Sequence, residues 1–472
     1  MGETSRRDFI KAGLLGAGSV SLAFLALSRS CRRVIHEPLP ELMGKLLPVA
    51  DETTGLPLLR LPEGFRYRTL AWAGQPMGDG RPSPGNADGM GVVDQQESRI
   101  TLVRNHELAG SAGPMGAAER SYDVTGGGTT TLVFDLESEV LAESWVSLSG
   151  TAVNCAGGVT PWGSWLSCEE VVYSPGLNHL PVPTRQYFWR LGNAKKEHGF
   201  VFEVPARGLA RPEPITAMGQ FYHEAATVDP RSGSVYLTED NAPRAGFYRY
   251  IPNSPGQLGA GGQLQMMRAG AARDMRDRLV LREWLPVLWV PIDQPERGFT
   301  RGNRDGNGVV SQGLAAGGSA FSALEGCTCH HGRIFFTSKL GGQANAGCVF
   351  EYDPEQELVR LIYESPGHEL LSGPDNITMS PRGSLVICED RMTRFRVAQI
   401  LAGLTADGQL FRFCQINHEL DYNYLDHDLG RTVRESEWAG VTFSPDGQWL
   451  FCNLYNPGVT LAISGPWQDG LI

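Results

Sequence analysis

Basic residues are in short supply in this chain. Lys and Arg together number 41 against 52 Asp and Glu, and the formal net charge of the 472 residues is −11. Nucleic acids bind proteins through Lys and Arg side chains that cluster along the phosphate backbone. The charge balance therefore excludes a nucleic-acid partner and indicates a protein that concentrates cations.

A long apolar run is missing as well. The stretch from Ala12 to Leu27 is shorter than the roughly 20 residues that span a bilayer, and it follows the twin-arginine motif Ser5-Arg6-Arg7-Asp8-Phe9. We predict that residues 1–28 are a cleaved twin-arginine signal peptide. The expected partner is then the twin-arginine export machinery, and the mature protein is expected to be periplasmic or extracellular, without stable membrane insertion.

Cys31 raises the alternative of a lipid anchor just after this segment. The preceding residues Ser28-Arg29-Ser30 lack the apolar residue that a lipoprotein signal places three positions upstream of its cysteine. Cleavage without lipidation is therefore favoured.

Dense cysteine spacing is absent, because the nine cysteines are dispersed along the chain. A domain of this length does not need disulfide bonds to be stable, and proteins exported by the twin-arginine pathway fold in a reducing cytoplasm before export. We expect most of the cysteines to be buried thiols and the protein to be a monomer.

Apart from residues 393–401, no window has the 3.6-residue period and caps of a long helix. Glycine is abundant, at 58 residues, and prolines are scattered throughout. The sequence predicts an all-β protein with inserted loops and short helices. We divide it into the signal peptide 1–28, an N-terminal extension 29–60 and a catalytic domain 61–472.

An internal repeat organises the catalytic domain. Its unit has a polar start, a short apolar strand, a turn such as Ser444-Pro-Asp-Gly447, a second apolar strand and a polar end. The repeats are Asp88–Glu107, Asn154–Glu170, Glu224–Asp240, Glu325–Lys339, Asp375–Asp390 and Glu437–Asn453. Six hairpins at this spacing predict a six-bladed β-propeller.

The two ends of each hairpin return to the same end of a blade, because the turn lies midway. If the hairpins are inner strands, their ends meet at one mouth of the central channel. The acids at these ends are Asp88, Glu107, Glu169, Glu170, Glu224, Glu239, Asp240, Glu325, Asp375, Glu389, Asp390 and Glu437. So many carboxylates repel one another unless cations neutralise them.

Carboxylates and nearby amides suit hard ions such as calcium. Cys155 differs, since a thiolate among carboxylates selects a transition metal, although a cysteine in an apolar strand is otherwise a core residue. Cys327 and Cys329 lack a second Cys/His pair at zinc-ligand spacing, so we predict that they pack in the core.

Familiar catalytic motifs are also absent. The sequence has no Gly-x-Ser-x-Gly elbow, no Walker loop and no His-Glu-x-x-His helix. Two of its His-Glu pairs, His106-Glu107 and His223-Glu224, lie at hairpin ends. This combination indicates metal-assisted hydrolysis of an anionic substrate.

Several hairpin motifs resemble the PhoX family of bacterial alkaline phosphatases. They are Asn105-His-Glu107, Asn154-Cys-Ala-Gly-Gly158 with Ser167-Cys-Glu-Glu170, His223-Glu224, Pro374-Asp-Asn376 and Ser444-Pro-Asp-Gly447. The resemblance implies a six-bladed propeller that hydrolyses small phosphomonoesters. It also implies two ferric ions, Fe3+, and three calcium ions, Ca2+, around a bridging oxide.

The resemblance further implies that Cys155 contacts iron. Together with the other acids of the mouth, the predicted metal ligands are Glu107, Cys155, Glu169, Glu170, Glu224, Asp240, Glu325, Asp375, Glu389 and Glu437. The predicted catalytic residues are Glu325, Lys339 and Arg391.

The sequence departs from the family at one position. PhoX phosphatases usually carry a phosphate-holding arginine two residues before the acid that corresponds to Glu325, and here that residue is Ala323. Lys339 and Arg391, just beyond two hairpins, are the candidates to replace its charge.

Two other functions fit parts of the pattern. A calcium-dependent lactonase or esterase on a propeller also uses Pro-Asp-Asn and Pro-Asp-Gly turns, but a single-metal site leaves most of the acids unexplained. A non-catalytic, calcium-binding propeller is the second alternative, because a fold alone does not define a function.

Overall fold

Strands account for nearly all of the regular structure. The computed structural model describes residues 39–109, 113–176, 191, 194–271, 274–277, 279–299, 305–390, 398–420, 433 and 436–472, which lie within the unit Leu39–Ile472. In these residues there are 26 strands, one α-helix, α1 (Gly308–Ala315), and short 3-10 turns at Ala118–Arg120, Thr216–Met218 and Leu258–Ala260. The all-β prediction with short helices is confirmed.

The strands follow one another in chain order with short connections. The first thirteen are β1 (Leu47–Val49), β2 (Leu59–Leu61), β3 (Arg66–Leu70), β4 (Ala87–Gln96), β5 (Arg99–His106), β6 (Gly127–Asp135), β7 (Val140–Thr151), β8 (Asn154–Val159), β9 (Ser164–Glu169), β10 (Val201–Pro205), β11 (His223–Val228), β12 (Val235–Glu239) and β13 (Phe247–Pro252). The others are β14 (Gly262–Ala269), β15 (Leu285–Pro291), β16 (Leu324–His330), β17 (Arg333–Ser338), β18 (Cys348–Asp353), β19 (Leu358–Glu364), β20 (Pro374–Met379), β21 (Leu385–Glu389), β22 (Ile400–Leu404), β23 (Leu410–Ile416), β24 (Trp438–Phe443), β25 (Trp449–Leu454) and β26 (Val459–Ser464).

These strands form five hydrogen-bonded antiparallel sheets. Their orders are β4-β5-β6-β7, β8-β9-β10, β11-β12-β13-β14-β15-β19-β18-β17-β16, β20-β21-β22-β23-β2-β1 and β24-β25-β26-β3. The nine-stranded sheet consists of two meanders joined by two residue pairs between β15 and β19. In the last sheet β3, from the N-terminal part of the described chain, pairs with the last strand, β26, and Leu70 lies opposite Thr460. This sheet therefore combines strands from both terminal parts of the described chain.

Six hairpins form the inner part of these sheets, and they are the six predicted repeats. They are β4-β5, β8-β9, β11-β12, β16-β17, β20-β21 and β24-β25. The first strand of each hairpin contacts the first strand of the next, and β24 returns to contact β4. The arrangement is therefore propeller-like, with the first strands around a common axis.

The approach of these strands along the axis is close. A Cβ atom added at Gly158 of β8 would lie 1.8 Å from the carbonyl oxygen of Ala226 on β11, so only glycine fits there. On the axis the strands enclose a cavity of about 500 Å³, which Gly158, Thr227 and Thr378 help to line. Apolar clusters fill the space between the sheets, and Cys327 lies in one of them with Phe336 and Phe350, as predicted for a core residue.

The first strand of every inner hairpin bends at the same point. The pairing register shifts between Ala87 and Met90, Asn154 and Gly157, His223 and Ala226, Leu324 and Cys327, Pro374 and Ile377, and Ala439 and Thr442. A bulge of this kind bends the strand and re-aims the side chains within it. The same bulge thus recurs at one end of all six hairpins.

Among the described residues, no helix combines the length and the apolar character needed to cross a membrane. The predicted signal peptide and Cys31 lie outside the described residues, and so do Arg391 and part of the stretch 393–401. Residues 400–401 belong to β22.

Candidate metal centre

The first residue within each bulge supplies the predicted cluster. In five of the six hairpins it is Asp88, Cys155, Glu224, Glu325 or Asp375, and all of these residues are buried. In the sixth hairpin it is Gly440, whose φ is 61° and whose added Cβ would lie 2.5 Å from the carbonyl oxygen of Asp88. The backbone approach excludes a side chain at this position.

Four carboxyl groups and one thiol converge on the mouth in two overlapping groups. Ligand atoms of Cys155, Glu170 and Glu224 all lie within 4.8 Å of one another, and so do those of Glu224, Glu325 and Asp375. The Cys155 Sγ atom lies 3.6 Å from Asp88 Oδ2. The structure therefore brings five of the predicted ligands together, with Glu224 shared by both groups.

Glu224 is the most poorly compensated acid of the cluster. Its side chain is 0% exposed, and neither carboxylate oxygen has a hydrogen-bond partner among the described residues. Burial raises its pKa well above the ordinary value, and the charges of Glu325, Asp375 and other acids raise it further. A buried, unpartnered carboxylate is costly, and a cation between the two groups would remove that cost.

The donor set fits metal ions. Burial raises the pKa of Asp375 to about 6, with the charge of Lys339 opposing the shift. Burial and the neighbouring acids Asp88 and Glu224 raise the pKa of the Cys155 thiol well above its usual value. Without a cation Cys155 is a thiol rather than a thiolate, and a bound metal is the group that would stabilise its deprotonated form.

Lys339 supplies the cationic side chain of the mouth. Its Nζ atom lies 2.5 Å from Asp390, 3.4 Å from Asp375 and 3.7 Å from Glu325. Although burial opposes it, these carboxylates raise the pKa of Lys339 well above its usual range. The ammonium group is therefore charged and adjacent to two of the cluster acids.

Three hairpins end in two consecutive acids, Glu-Glu or Glu-Asp. The two side chains of each pair lie on opposite sides of the strand, because side chains alternate along a strand. The second acid of each pair, Glu170, Asp240 or Asp390, is directed to the mouth, where Asp240 raises the pKa of Glu325. The first acid, Glu169, Glu239 or Glu389, is buried inside its own sheet. The prediction that put Glu169 and Glu389 among the mouth carboxylates therefore differs from the structure.

Glu169 and Glu389 already have partners that use both oxygens. Glu169 accepts hydrogen bonds from the backbone N–H groups of Ala152 and Gly199 and contacts His198 Nδ1 at 2.7 Å. Glu389 accepts from the N–H groups of Ser372 and Ile400, at 2.9 and 3.2 Å. These carboxylates connect loops to the strand ends.

Glu107 and Glu437 lie at the edge of the cluster. Tyr455 donates its hydroxyl hydrogen to Glu107. Glu437 is hydrogen-bonded to Asp390, and the charges of Asp390 and Asp88 contribute, after burial, to a raised pKa of Glu437. Both predicted ligands therefore border the mouth, beyond the two groups described above.

A set of polar side chains that the sequence did not predict lies behind the cluster. Asn105, Thr238 and Thr337 donate hydrogen bonds to the backbone carbonyl oxygens of Cys155, Glu325 and Asp375, respectively. Each stands one residue before the last paired residue of its hairpin. Their common position in the repeat is the signal in the sequence that could have identified them.

The fold and the site together define a class of protein, an all-β propeller-like chain with a buried acid and thiol cluster at one mouth. A family model described as alkaline phosphatase PhoX matches residues 44–141 and 117–458. The chain therefore belongs to the PhoX family of alkaline phosphatases. It is a hydrolase of phosphoric monoesters, and the family is metal-dependent.

One solved structure agrees with this fold, and two others have lower similarity. PhoX from Pseudomonas fluorescens, in complex with the transition state analogue vanadate, has a TM-score of 0.60 at 16% identity, covering 90% of this chain and 98% of that one. A protein of unknown function from Bacteroides thetaiotaomicron has a TM-score of 0.40 at 9% identity, with 85% and 76% covered. TolB from Acinetobacter baumannii has a TM-score of 0.36 at 12% identity, with 76% and 65% covered. No curated protein sequence matches this chain.

Proposed function

We propose that the acid and thiol cluster holds iron and calcium ions and that this centre hydrolyses phosphomonoesters at the propeller mouth. The observation that supports it best is Glu224, a fully buried carboxylate shared by two ligand groups, with neither oxygen hydrogen-bonded among the described residues. A carboxylate in this state is favourable only with a cation beside it.

The two groups differ in chemistry, and this difference suggests which ion each would hold. The group of Cys155, Glu170 and Glu224 contains a thiolate and suits iron. The group of Glu224, Glu325 and Asp375 contains oxygen donors alone and suits calcium. When bound, such ions supply an activated water or oxide and neutralise the phosphoryl oxygens.

The chain's own residues then bind and orient the substrate. We propose that Lys339 holds a phosphate oxygen, because it is the charged amine at the mouth and carries the positive charge that Ala323 lacks. Its three carboxylate neighbours orient the ammonium group toward the cluster. Glu325 contacts Lys339 and is itself a member of the group of Glu224, Glu325 and Asp375. It therefore links substrate binding to the metal centre.

We propose that the architecture is a six-bladed propeller. Six inner hairpins with one shared bulge support this count, as does the division of the nine-stranded sheet into two meanders joined by the pairs Leu285–Val359 and Pro286–Leu358. Each meander would then be one blade. The contacts of β24 with β4 would close the ring.

We further propose export through the twin-arginine pathway, on the motif Ser5-Arg6-Arg7-Asp8-Phe9. A folded, metal-loaded protein is a suitable cargo for a pathway that transports folded chains. Replacing Arg6 and Arg7 with Lys is expected to retain the protein in the cytoplasm, as cell fractionation would reveal.

One experiment tests the proposed function directly. The protein exported by its own signal is analysed for iron and calcium and assayed for phosphate release from a simple phosphomonoester. We expect both metals, and activity that disappears with chelation and returns with calcium. Calcium without iron, or full metal occupancy without phosphate release, would contradict the proposal.

A further inference from the structure

Hydrogen bonds from side chains of one hairpin to the backbone of the next form a second layer behind the cluster. The cluster acids belong to bulges, where the regular ladder is interrupted, so strand pairing alone does not fix their spacing. A donor from the preceding hairpin instead reaches the carbonyl oxygen of the cluster residue. The donors are Asn453 to Asp88 at 2.6 Å, Asn105 to Cys155 at 3.1 Å, Thr238 to Glu325 at 2.5 Å and Thr337 to Asp375 at 2.8 Å.

Thr238 links two cluster acids with one hydroxyl group. Its Oγ1 atom accepts a hydrogen bond from the backbone N–H of Ala225, the residue after Glu224, at 2.9 Å. The same hydroxyl donates to the carbonyl oxygen of Glu325 on the next hairpin, at 2.5 Å. Because the Thr238 side chain is 0% exposed, water does not compete for either bond.

Thr337 repeats this link one hairpin further on. Its hydroxyl donates to the carbonyl oxygen of Asp375 and lies 3.4 Å from the carbonyl oxygen of Gly326, the residue after Glu325. Thr337 is likewise 0% exposed. The two threonines together connect the backbones of Glu224, Glu325 and Asp375, the three acids of one ligand group.

We infer that Thr238 and Thr337 are positioning residues that set the separation of these three carboxylates and thereby the affinity of the centre for calcium. The inference rests on the proposed metal-dependent function of the cluster. Hydrogen-bonding groups behind metal ligands commonly alter metal affinity 10- to 100-fold when removed. A hydroxyl that joins two ligand-bearing backbones is placed to have such an effect without touching the metal.

The position in the repeat supports a specific role. In two of the three hairpins that carry acids of the group Glu224, Glu325 and Asp375, namely β11-β12 and β16-β17, the residue before the last paired position is threonine. In the β8-β9 and β20-β21 hairpins the corresponding residues are the buried free cysteines Cys168 and Cys388, and in β24-β25 the corresponding residue is Asn453. Threonine is therefore not a general requirement for building this hairpin.

The test compares Thr238→Val and Thr337→Val with Thr238→Ser, which keeps the hydroxyl. Thr129→Val is the matched control, because Thr129 is also 0% exposed and its hydroxyl bonds the Ser147 hydroxyl at 2.8 Å, not the backbone of a cluster residue. Iron and calcium content, the calcium dissociation constant, KM and kcat are measured on each exported protein. Thermal unfolding in chelator reports the stability of the metal-free fold.

We expect both valine variants to bind calcium about tenfold more weakly or worse, while Thr238→Ser and Thr129→Val bind it as the wild type does. In chelator, Thr238→Val and Thr129→Val should lose similar stability. Wild-type calcium affinity in a folded Thr238→Val or Thr337→Val protein would overturn the inference. A wild-type protein that binds neither metal would contradict the proposed function itself, which is a distinguishable result.

Discussion

The backbone N–H of Lys339 donates a hydrogen bond to the carbonyl oxygen of Ala323, 2.8 Å away. The residue that stands in place of the family's arginine is thus bonded to a lysine that carries a positive charge at the mouth. The Lys339 ammonium group lies 3.7 Å from Glu325, two residues beyond Ala323. Ala323 and Lys339 are therefore neighbours at the mouth, and a substitution at either position should change the affinity for substrate.

Ala323→Arg is expected to lower the KM for phosphomonoesters, and Lys339→Ala is expected to raise it. A charge-assisted hydrogen bond to phosphate contributes about 1.5–3 kcal/mol, which corresponds to roughly a 10- to 100-fold change. The metal centre remains in place in Ala323→Arg, so kcat should change less than KM. Steady-state kinetics with a simple phosphomonoester measure both values.

Lys339→Arg is the matched variant, since it keeps the charge among the same three carboxylates. It should restore most of the KM that Lys339→Ala loses. If fully metallated protein releases no phosphate and Ala323→Arg gains no activity, the mouth serves another substrate. A panel of lactones and carboxylic esters would then be the appropriate assay.

The hairpins and their convergence were predictable because turn chemistry and apolar strands recur in the sequence. Sequence patterns also placed Cys155, Glu224, Glu325 and Asp375 at one mouth. Because side chains alternate along a strand, the sequence could have predicted that Glu170 faces the mouth and Glu169 does not. This prediction requires knowing which acid of each pair is the last residue paired in its hairpin. That boundary is set by the bulge, whose position depends on contacts between hairpins.

The contacts that tie one hairpin to the next could not be predicted in this way. His198 and Asp123 lie outside the repeats, yet His198 contacts Glu169 and is itself contacted by Asp123. Thr238 resembles any threonine in a buried strand, and its role depends on a carbonyl group 87 residues away. Long-range partners of this kind are fixed by how the sheets pack, which a local pattern does not contain.

Cys155→Ser should reduce iron content more than calcium content. Serine keeps the size of the side chain but replaces a soft thiolate with a hard hydroxyl, which binds transition metals more weakly. Cys327→Ser is the control, since Cys327 packs with Phe336 in an apolar cluster. Elemental analysis of the exported proteins decides the matter, and equal loss of both metals in Cys155→Ser would identify Cys155 as a core residue.

Glu224→Gln should abolish the stabilisation that metals give to the fold. In wild type, metal binding to the native state alone raises stability by RT ln(1 + [L]/Kd), about 2.7 kcal/mol at 100 times Kd. Removing the carboxylate shared by both groups removes much of this gain. In chelator the variant should be at least as stable as wild type, because a neutral amide replaces a costly buried acid.

Thermal unfolding with and without calcium and iron measures this difference for Glu224→Gln. Glu203→Gln is the control, because Glu203 is hydrogen-bonded to Trp162 and Ser164, away from the cluster. A Glu224→Gln protein that is stabilised by metals as strongly as wild type would show that Glu224 is not a ligand.

The buried His198 should make stability depend on pH. Its Nδ1 atom lies 2.7 Å from Glu169 and its Nε2 atom 3.3 Å from Asp123. Burial lowers the pKa of His198, but the charges and hydrogen bonds of these two carboxylates outweigh it and raise the pKa to about 9. At neutral pH the folded protein therefore holds a proton on His198 that the unfolded chain, with a pKa near 6.5, largely releases.

The sign of the effect follows from this difference. The stabilisation is fully present below about pH 6.5 and is lost as the pH rises through about 9, with a total on the order of 3 kcal/mol. His198→Gln removes the titrating group, so its stability deficit relative to wild type should be largest at pH 6 and shrink toward pH 10. Thermal unfolding in chelator at several pH values measures the deficit without metal binding.

His330→Gln is the control, because burial lowers the pKa of His330 and its substitution should cause no such loss. A deficit of His198→Gln that stays constant from pH 6 to pH 10 would mean that His198 is neutral in the fold.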